Sequence, residues 1–334
     1  MADPNLNLAP ARLSVAPMMD WTDRHCRYFH RVLSKRTVLF SEMVTSSALI
    51  RGGADWLIRF NDEEHPVVLQ IGGSDPVELA QAAQMGVREG YDSIDLNVGC
   101  PSDRVQAGTF GAVLMANPEL VRDCVRAMVD AVGAERVSVK CRLGIDDQEV
   151  AETLPRFIET VAASGVQRFT IHARKAWLKG LSPKENRDIP PLDYDLVRAM
   201  KARFEELWIG INGGITDLDL AQALLADGLD GVMIGRAAYH DPGAILLDAD
   251  ARIFGDKPAV ASREAAVAAM LPYIEAQLVR GEKLGAVTRH MLGLFAGMPG
   301  ARAWRRVLSE KGHRPGSGPE VVEEALAQIV KTAA

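Results

Sequence analysis

A cysteine held between a glycine and a proline is the first residue of this sequence whose setting suits chemistry. The tripeptide Gly99-Cys100-Pro101 follows an apolar run, and its proline stiffens the turn, so the thiol should project from a rigid loop. An ordinary free thiol has a pKa of about 8.5, so it is mostly protonated at neutral pH and can act as a general acid. The alternative is a buried cysteine that only packs, which is the commoner role of a lone cysteine.

Three polar side chains stand at the ends of other apolar runs. Lys140 needs an anionic partner if it is buried, and this partner can be the electron-rich edge of a reduced flavin or a carboxylate at the rim. Gln70 can hydrogen-bond the edge of a flavin ring or make an ordinary loop hydrogen bond. His172 can contact a cofactor or cap a loop. The residues alone leave each of these alternatives open.

Two glycine-containing loops have the composition of a phosphate site. Asn212-Gly213-Gly214 and Gly235-Arg236 each follow an apolar run. Glycines let backbone N–H groups approach an anion closely, and the arginine adds a guanidinium group. The simpler interpretation is that the glycines only make tight turns.

The elements that must position these residues are short, apolar, β-branched runs separated by amphipathic segments. Several runs are continuously apolar, as expected of strands buried on both faces. Eight strand–helix units predict a (β/α)₈ TIM barrel, whose active site lies at the carboxyl ends of the strands. A doubly wound sheet is the alternative, but the first run ends in Val15-Ala16-Pro17-Met18-Met19 and not in a glycine-rich turn. The predicted strands are Leu13–Ala16, Val38–Ser41, Val67–Ile71, Ser93–Leu96, Val137–Lys140, Arg168–Ile171, Trp208–Ile211 and Gly231–Ile234.

Helix signals between the strands support this interpretation, and after about Pro258 the pattern becomes helical only. Asp75-Pro76-Val77-Glu78 reads as a capping box, and Gly90 closes that helix. The sequence therefore predicts a barrel domain over residues 1–257 and an all-helical C-terminal domain over residues 258–334. The C-terminal helices are expected after a Ser262 cap through Gln277, and over Ala286–Phe295, Ala301–Leu308 and Pro319–Val330.

Composition restricts the class of protein. With 334 residues and 48% hydrophobic content the chain is long enough for a large folded domain plus a smaller one. No run reaches the length of a membrane span and residues 1–12 do not resemble a signal peptide, so we expect a cytoplasmic protein. No C-x-x-C pair suggests zinc, so we expect no metal. We also expect a monomer, although these patterns do not fix the oligomeric state. The net charge of −6 argues against nucleic acid. Residues 278–314, however, hold eight basic and two acidic residues, a local charge of +6.

These motifs together resemble those of the tRNA-dihydrouridine synthases, over roughly residues 10–314. The shorter motifs are Ala16-Pro17-Met18, Gln70, Asn97-Val98-Gly99-Cys100-Pro101-Ser102, Lys140-Cys141-Arg142, His172-Ala173-Arg174, Asn212-Gly213-Gly214 and Gly235-Arg236. Longer strings resemble the A branch of that family: Pro101-Ser102-Asp103-Arg104-Val105-Gln106, Gly180-Leu181-Ser182-Pro183-Lys184-Glu185-Asn186-Arg187, and Gly297-Met298-Pro299-Gly300-Ala301-Arg302-Ala303-Trp304-Arg305-Arg306.

The resemblance implies an FMN-containing barrel with a helical tRNA-binding domain and NADPH as reductant. It implies that Cys100 is the proton donor and that Asn97 lies next to the target base. The residues implied to hold FMN are Pro17, Met18, Met19, Gln70, Lys140, His172, Asn212, Gly213, Gly214, Gly235 and Arg236. The residues implied to touch tRNA are Lys184, Arg187, Arg302 and Arg305.

The implied reaction is reduction of uridines 20 and 20a of the tRNA D-loop. C6 of the uracil would accept a hydride from flavin that NADPH has reduced, and Cys100 would deliver a proton to C5 from the other face. The target base would have to leave its stack and enter the barrel mouth. One alternative is an FMN barrel that reduces a free small molecule, which would not need a basic helical domain. Another is a tRNA-folding helper for which the flavin chemistry is secondary.

Overall fold

The eight apolar runs form a closed barrel of parallel strands, as the sequence predicts. The structure is a computed structural model that describes residues 11–102 and 110–333. Neighbouring strands pair in sequence order, and the last strand pairs with the first. The strands are β1 (Leu13–Val15), β2 (Val38–Thr45), β3 (Val67–Gly72), β4 (Ser93–Val98), β5 (Val137–Arg142), β6 (Arg168–His172), β7 (Trp208–Asn212) and β8 (Gly231–Ile234).

Side chains alternate between the two faces of each strand, and β4 shows how this divides the core. Ile94, Leu96 and Val98 belong to the large apolar core that also contains the outer helices. Asp95 and Asn97, which occupy the alternate positions, therefore point into the barrel. The strand is buried along its whole length, as expected of a parallel strand covered on both faces.

The interior of the barrel has two chemically different sides. The apolar side is a separate cluster from strands β1, β2, β3 and β8, made of Ala16, Val38, Phe40, Val68 and Met233. The polar side comes from strands β3 to β7. Its inward-facing residues are Gln70, Asp95, Asn97, Ser138, Lys140, Thr170, His172 and Asn212.

Helices follow the strands and cover the barrel. They are α1 (Arg24–Leu33), α2 (Ser46–Ile50), α3 (Pro76–Glu89), α4 (Pro118–Val132), α5 (Val150–Ala162), α6 (Glu185–Asp188), α7 (Tyr194–Arg203), α8 (Leu218–Ala226), α9 (Arg236–His240) and α10 (Pro242–Ile245). Short 3₁₀ helices span Asp55–Ile58, Asp62–Glu64, Gly111–Ala116 and Ala134–Arg136, and a short π-helix spans Asp250–Phe254.

The predicted start and end of α3 are confirmed, but its capping box is only half formed. The Asp75 carboxylate accepts hydrogen bonds from the backbone N–H groups of Val77 and Glu78, and Gly90 ends the helix at a φ of 117°. The Glu78 carboxylate turns to α2, where it accepts from Arg51 Nε at 2.6 Å. A tertiary ion pair has therefore replaced the local contact.

The C-terminal part of the chain is helical, as predicted, with one correction. Its helices are α11 (Arg263–Val279), α12 (Leu284–Thr288), α13 (Ala301–Lys311) and α14 (Pro319–Ala333). The expected helix over Ala286–Phe295 is wrong, because the α-helix ends at Thr288 and turns follow. Trp304 Nε1 donates a hydrogen bond to the carbonyl of Met291, and the backbone at Gly293 lies against that of His240. Across the described residues, no helix is both long and apolar enough to span a membrane.

Helix α1 of the barrel is the main contact of the C-terminal helices. The Asp23 carboxylate caps α1 and also accepts from Arg289 Nη2 at 2.5 Å and pairs with His290 Nε2 at 3.0 Å. The ring of Tyr273 on α11 stacks on Tyr28 with centroids 3.8 Å apart. The barrel and the C-terminal helices therefore share a continuous interface.

Candidate active site

A cavity of about 730 Å³ opens at the carboxyl ends of the strands, where the sequence placed the active site. This volume is in the range of small-molecule and cofactor sites. Fourteen of the predicted site residues line it: Pro17, Met18, Met19, Gln70, Asn97, Cys100, Lys140, His172, Arg187, Asn212, Gly213, Gly214, Gly235 and Arg236.

The loop that carries Cys100 is held by hydrogen bonds to its backbone. Asn97 Oδ1 accepts from the N–H groups of Gly99 at 3.1 Å and Cys100 at 3.0 Å. The carbonyl of Cys100 accepts from Ala112 N at 2.9 Å, and its thiol donates to Ser102 Oγ at 3.6 Å. The thiol is partly exposed in the cavity wall, whereas the other three cysteines are buried and free. The rest of the predicted string, Asp103-Arg104-Val105-Gln106, lies outside the described residues.

Asp95 is a buried carboxylate that sequence reasoning missed. Gln70 Nε2 donates to its Oδ2 at 2.8 Å, and Ser138 Oγ donates to its Oδ1 at 2.7 Å. Gln70 Oε1 in turn accepts from Asn97 Nδ2 at 2.8 Å. Burial raises the pKa of Asp95 to about 6, although the hydrogen bonds from Gln70 and Ser138 oppose the shift. The only signal in the sequence was an acid at an inward position of an otherwise apolar strand.

Lys140 reaches the cavity wall without an ion-pair partner. In the part of the chain that the structure describes, no carboxylate lies within 4.0 Å of its ammonium group, so the rim salt bridge considered above does not form. Burial, and then the nearby charge of Arg142, lowers the pKa of Lys140 to about 8. The group is thus a cation at neutral pH whose hydrogen-bonding capacity is available to a ligand.

Arg142 fastens two rim loops together. Its Nε donates to the carbonyl of Gly99 at 2.9 Å, and its Nη1 donates to the carbonyls of Lys175 and Asn186 at 3.0 Å. Arg142 belongs to the motif Lys140-Cys141-Arg142, but the sequence predicts no role for it. The structure shows that it connects the Cys100 loop to the segment after β6.

His172 is neutral and incompletely hydrogen-bonded. Burial, followed by the charges of Arg142 and Lys140, keeps the pKa of its imidazole well below the ordinary value. Its Nδ1 is buried without a hydrogen-bond partner among the described residues. A buried polar atom of this kind normally finds a partner, and a ligand in the cavity can supply one.

The two glycine loops present backbone that side chains would block. Gly213 and Gly214 have φ values of 109° and 70°, a region that side chains disfavour. A Cβ on Gly214 would stand 2.4 Å from Leu192 Cδ1. Asn212 Nδ2 donates to the carbonyl of Met233 at 2.8 Å, which joins β7 to β8 beneath the loops. These positions form a cradle in which an anion can meet backbone N–H groups.

The mouth of the cavity is bordered by charged and aromatic residues. Arg236 Nη2 donates to Asp188 Oδ1 at 2.7 Å on the rim, which leaves its other guanidinium nitrogens for a ligand. Trp21 lines the cavity and stacks on Tyr239 with ring centroids 4.5 Å apart. Sequence reasoning missed this aromatic pair, because its two members are more than two hundred residues apart.

Three of the four predicted tRNA contacts lie outside the cavity. Lys184 is exposed beside the rim residue Pro183, whereas Arg302 and Arg305 are exposed on α13. Arg302, Arg305 and Arg306 follow the i, i+3, i+4 spacing of one helix face. We call these three residues the arginine face; none of them has an acidic partner within 4.0 Å among the residues described. The structure thus places one predicted tRNA contact, Arg187, at the cavity and the others on the surface.

Comparison with known proteins identifies the family to which this chain is similar. The dihydrouridine synthase (Dus) family matches residues 14–331. A tRNA-dihydrouridine(20/20a) synthase of Vibrio parahaemolyticus is 57% identical over 321 residues, which cover 96% of this chain and 97% of that protein. The protein of the same name from Escherichia coli K12 is 58% identical over 319 residues, which cover 95% and 91%.

Solved structures share the fold at much lower identity. Morphinone reductase has a TM-score of 0.51 and 13% identity, and the match covers 74% of this chain and 86% of that one. The old yellow enzyme of Trypanosoma cruzi has a TM-score of 0.52 and 10% identity, over 74% and 89% of the two chains. At these identities the likeness concerns the barrel only.

Proposed function

This chain belongs to the dihydrouridine synthase family of flavin-dependent oxidoreductases, and on that premise we propose that it reduces uridines 20 and 20a of the tRNA D-loop to 5,6-dihydrouridine. In this proposal FMN is the bound cofactor, NADPH is the reductant, and Cys100 donates the proton to C5. The observation that carries it is the convergence of one thiol, one unpaired ammonium and two glycine loops on a single cavity of about 730 Å³.

The donors around the cavity fit the parts of FMN. Lys140 and Gln70 suit the polar edge of the ring, and the unpartnered Nδ1 of His172 supplies one further position. The phosphate suits the cradle of Asn212, Gly213, Gly214, Gly235 and Arg236. Pro17, Met18 and Met19 border the same cavity and suit the apolar face of the ring. When bound, FMN supplies the hydride that reduces the pyrimidine.

The protein's part in the reaction is to orient the base and to deliver the proton. Cys100 sits in the wall of the cavity, on a loop held by Asn97 and Arg142. As C6 is reduced, electron density moves towards C5 and the C4 oxygen, so the S–H of Cys100 can donate to C5.

The thiolate that remains after donation lies near two cations. Burial lowers the pKa of Arg142 and of Arg187, and the nearby Cys100 sulfur acts in the opposite direction on both.

The arginine face and Lys184 give the proposal its RNA surface. Exposed arginines bind phosphate oxygens through paired N–H groups, and such contacts position a nucleic acid without reading its sequence. We therefore assign residues 258–334 to tRNA binding and residues 1–257 to FMN and catalysis. A free pyrimidine would have no use for this surface.

The test is turnover on tRNA against turnover on free uridine. Unmodified tRNA carrying uridine at positions 20 and 20a is incubated with the enzyme, FMN and NADPH, and dihydrouridine is mapped by position. The control tRNA has cytidine at both positions. We expect dihydrouridine at 20 and 20a only, and equal turnover on free uridine would refute the proposal in favour of a small-molecule reductase.

A further inference from the structure

The hydrogen bonds that hold the Cys100 loop end on Asp95, a carboxylate two residues before Asn97 on strand β4. From the loop inward they run through Asn97, Gln70 and Asp95. Asp95 is 1% exposed and lies outside the set of cavity-lining residues. Whatever it contributes to the site must therefore pass through its neighbours.

The direction of this chain of hydrogen bonds is fixed at both ends. At the outer end the N–H groups of Gly99 and Cys100 can only donate, so Asn97 must present Oδ1 to them and Nδ2 to Gln70. At the inner end an ionised carboxylate can only accept, so Gln70 must present Nε2 to Asp95 and Oε1 to Asn97. The two requirements agree at every link.

Reversing either amide would place like groups against each other. A flipped Gln70 would put Oε1 against the Asp95 carboxylate and Nε2 against Asn97 Nδ2. Both contacts would be repulsive and buried, where lost hydrogen bonds are most costly. Asp95 therefore selects the orientation of Gln70 directly, and through Gln70 it supports the orientation that the loop requires of Asn97.

The carboxylate is itself held in place. Ser138 on the neighbouring strand β5 donates to its Oδ1, and Asp95 and Ser138 are direct register partners. Among the described residues, no cation lies within 4.0 Å of the carboxylate. A buried charge without an ion-pair partner lowers the stability of the fold. Proteins normally keep such a residue only at a functional position.

We propose that Asp95 is a positioning residue for proton donation: by fixing the amide direction of Gln70, it keeps Asn97 hydrogen-bonded from the barrel side and so holds the backbone of the Cys100 loop and the direction of the thiol. The part of this inference that concerns proton donation rests on the proposed function. The part that concerns the loop does not, because the thiol can be probed without any turnover.

The experiment compares three variants of the full chain. Asp95→Ala removes the acceptor, Asp95→Asn keeps one by turning its carbonyl to Gln70 and its amide to Ser138, and Ser138→Ala removes only the second contact. The rate of alkylation of Cys100 by iodoacetamide, followed by peptide mass spectrometry, reports on the loop. The kcat and KM for tRNA report on the reaction.

We expect Asp95→Ala to be alkylated at least about threefold faster and to lose about 10- to 100-fold in kcat, with the KM for tRNA unchanged, because small misplacements of a reacting group cost that much. Asp95→Asn and Ser138→Ala should stay within about threefold of the parent in both measurements. Asn97→Ala, which cuts the last link, is the positive control for the alkylation assay.

Unchanged alkylation and unchanged kcat in Asp95→Ala would overturn the proposal. If Asp95→Ala does not fold, Asp95→Asn decides, since a loss of tenfold or more there would mean that charge and not direction matters. If the proposed function is wrong, turnover on tRNA is absent already in the parent, while the alkylation difference between the variants persists.

Discussion

The apolar and polar sides of the barrel interior differ in what burial does to their side chains. The apolar side contains side chains whose burial favours folding, at roughly 25 cal/mol per Å². The polar side contains a carboxylate and an ammonium whose burial disfavours their charged forms, so the pKa of Asp95 rises to about 6 and that of Lys140 falls to about 8. Stability is supplied on one side and chemistry on the other. A substitution on the apolar side away from the cavity should therefore mainly affect folding, and one on the polar side should mainly affect turnover.

The largest expected effect is on the polar side, at Cys100. Cys100→Ala should bind flavin normally and lose roughly 10²- to 10⁴-fold in turnover on tRNA, because it removes the proposed general acid and leaves the glycine cradle intact. Flavin absorbance of the purified variant and dihydrouridine yield measure the two quantities. Cys124→Ala, at a buried cysteine on α4, is the matched control and should keep its turnover.

Next comes a substitution on the apolar side. Phe40→Ala should lower the free energy of unfolding by about 3–5 kcal/mol, since it leaves a cavity among the inward-facing residues. Turnover per folded molecule, measured well below the melting temperature, should change by less than about threefold. Urea denaturation measures the change in the free energy of unfolding. A variant that folds normally but turns over slowly would contradict the division between the two sides.

Lys140 has a smaller effect that depends on pH. Lys140→Met should weaken binding of reduced flavin about 10- to 100-fold at pH 7, because one charge-assisted contact is lost. The folded-state pKa is depressed to about 8, so the parent lysine is charged below that pH and loses its charge as the pH rises through it. Titration of flavin fluorescence from pH 7 to pH 9.5 should therefore show the parent approaching the variant. A constant difference over that range would exclude the assigned role.

The smallest expected effect is on the arginine face, which lies outside both sides of the barrel interior. Arg302→Ala should raise the KM for tRNA by roughly three- to tenfold and reduce the salt slope of binding by about one, while NADPH oxidation without tRNA is unchanged. Arg88→Ala, at an exposed position on helix α3, is the control and should alter neither. Equal effects from both variants would mean that the arginine face has no special part in tRNA binding.

The sequence predicted the barrel well because parallel strands buried on both faces are continuous apolar runs. All eight strands are where they were expected, and the largest error is at β2, which continues to Thr45. There the register shifts between Phe40 and Met43. This irregularity lets two residues three apart both face inward, a pattern that simple alternation excludes.

The candidate site was predictable wherever a residue follows a strand, and unpredictable where it depends on a partner far along the chain. The rule that barrel sites lie at carboxyl ends of strands identified Lys140 and His172. It could not identify Asp95, whose significance appears only when Gln70 and Ser138 are seen beside it. The helix expected over Ala286–Phe295 is wrong for the same reason, since Trp304 Nε1 donates to the carbonyl of Met291 and the Gly293 backbone packs closely against His240.

One carboxylate, Asp23, begins the first helix of the barrel and also binds Arg289 and His290 of the C-terminal part. Moving the C-terminal part away from the barrel would cost Asp23 two partners, and moving Asp23 with it would cost α1 its cap. The start of the first barrel helix and the seat of the C-terminal helices are therefore one stabilising unit, so Asp23→Ala should weaken both together.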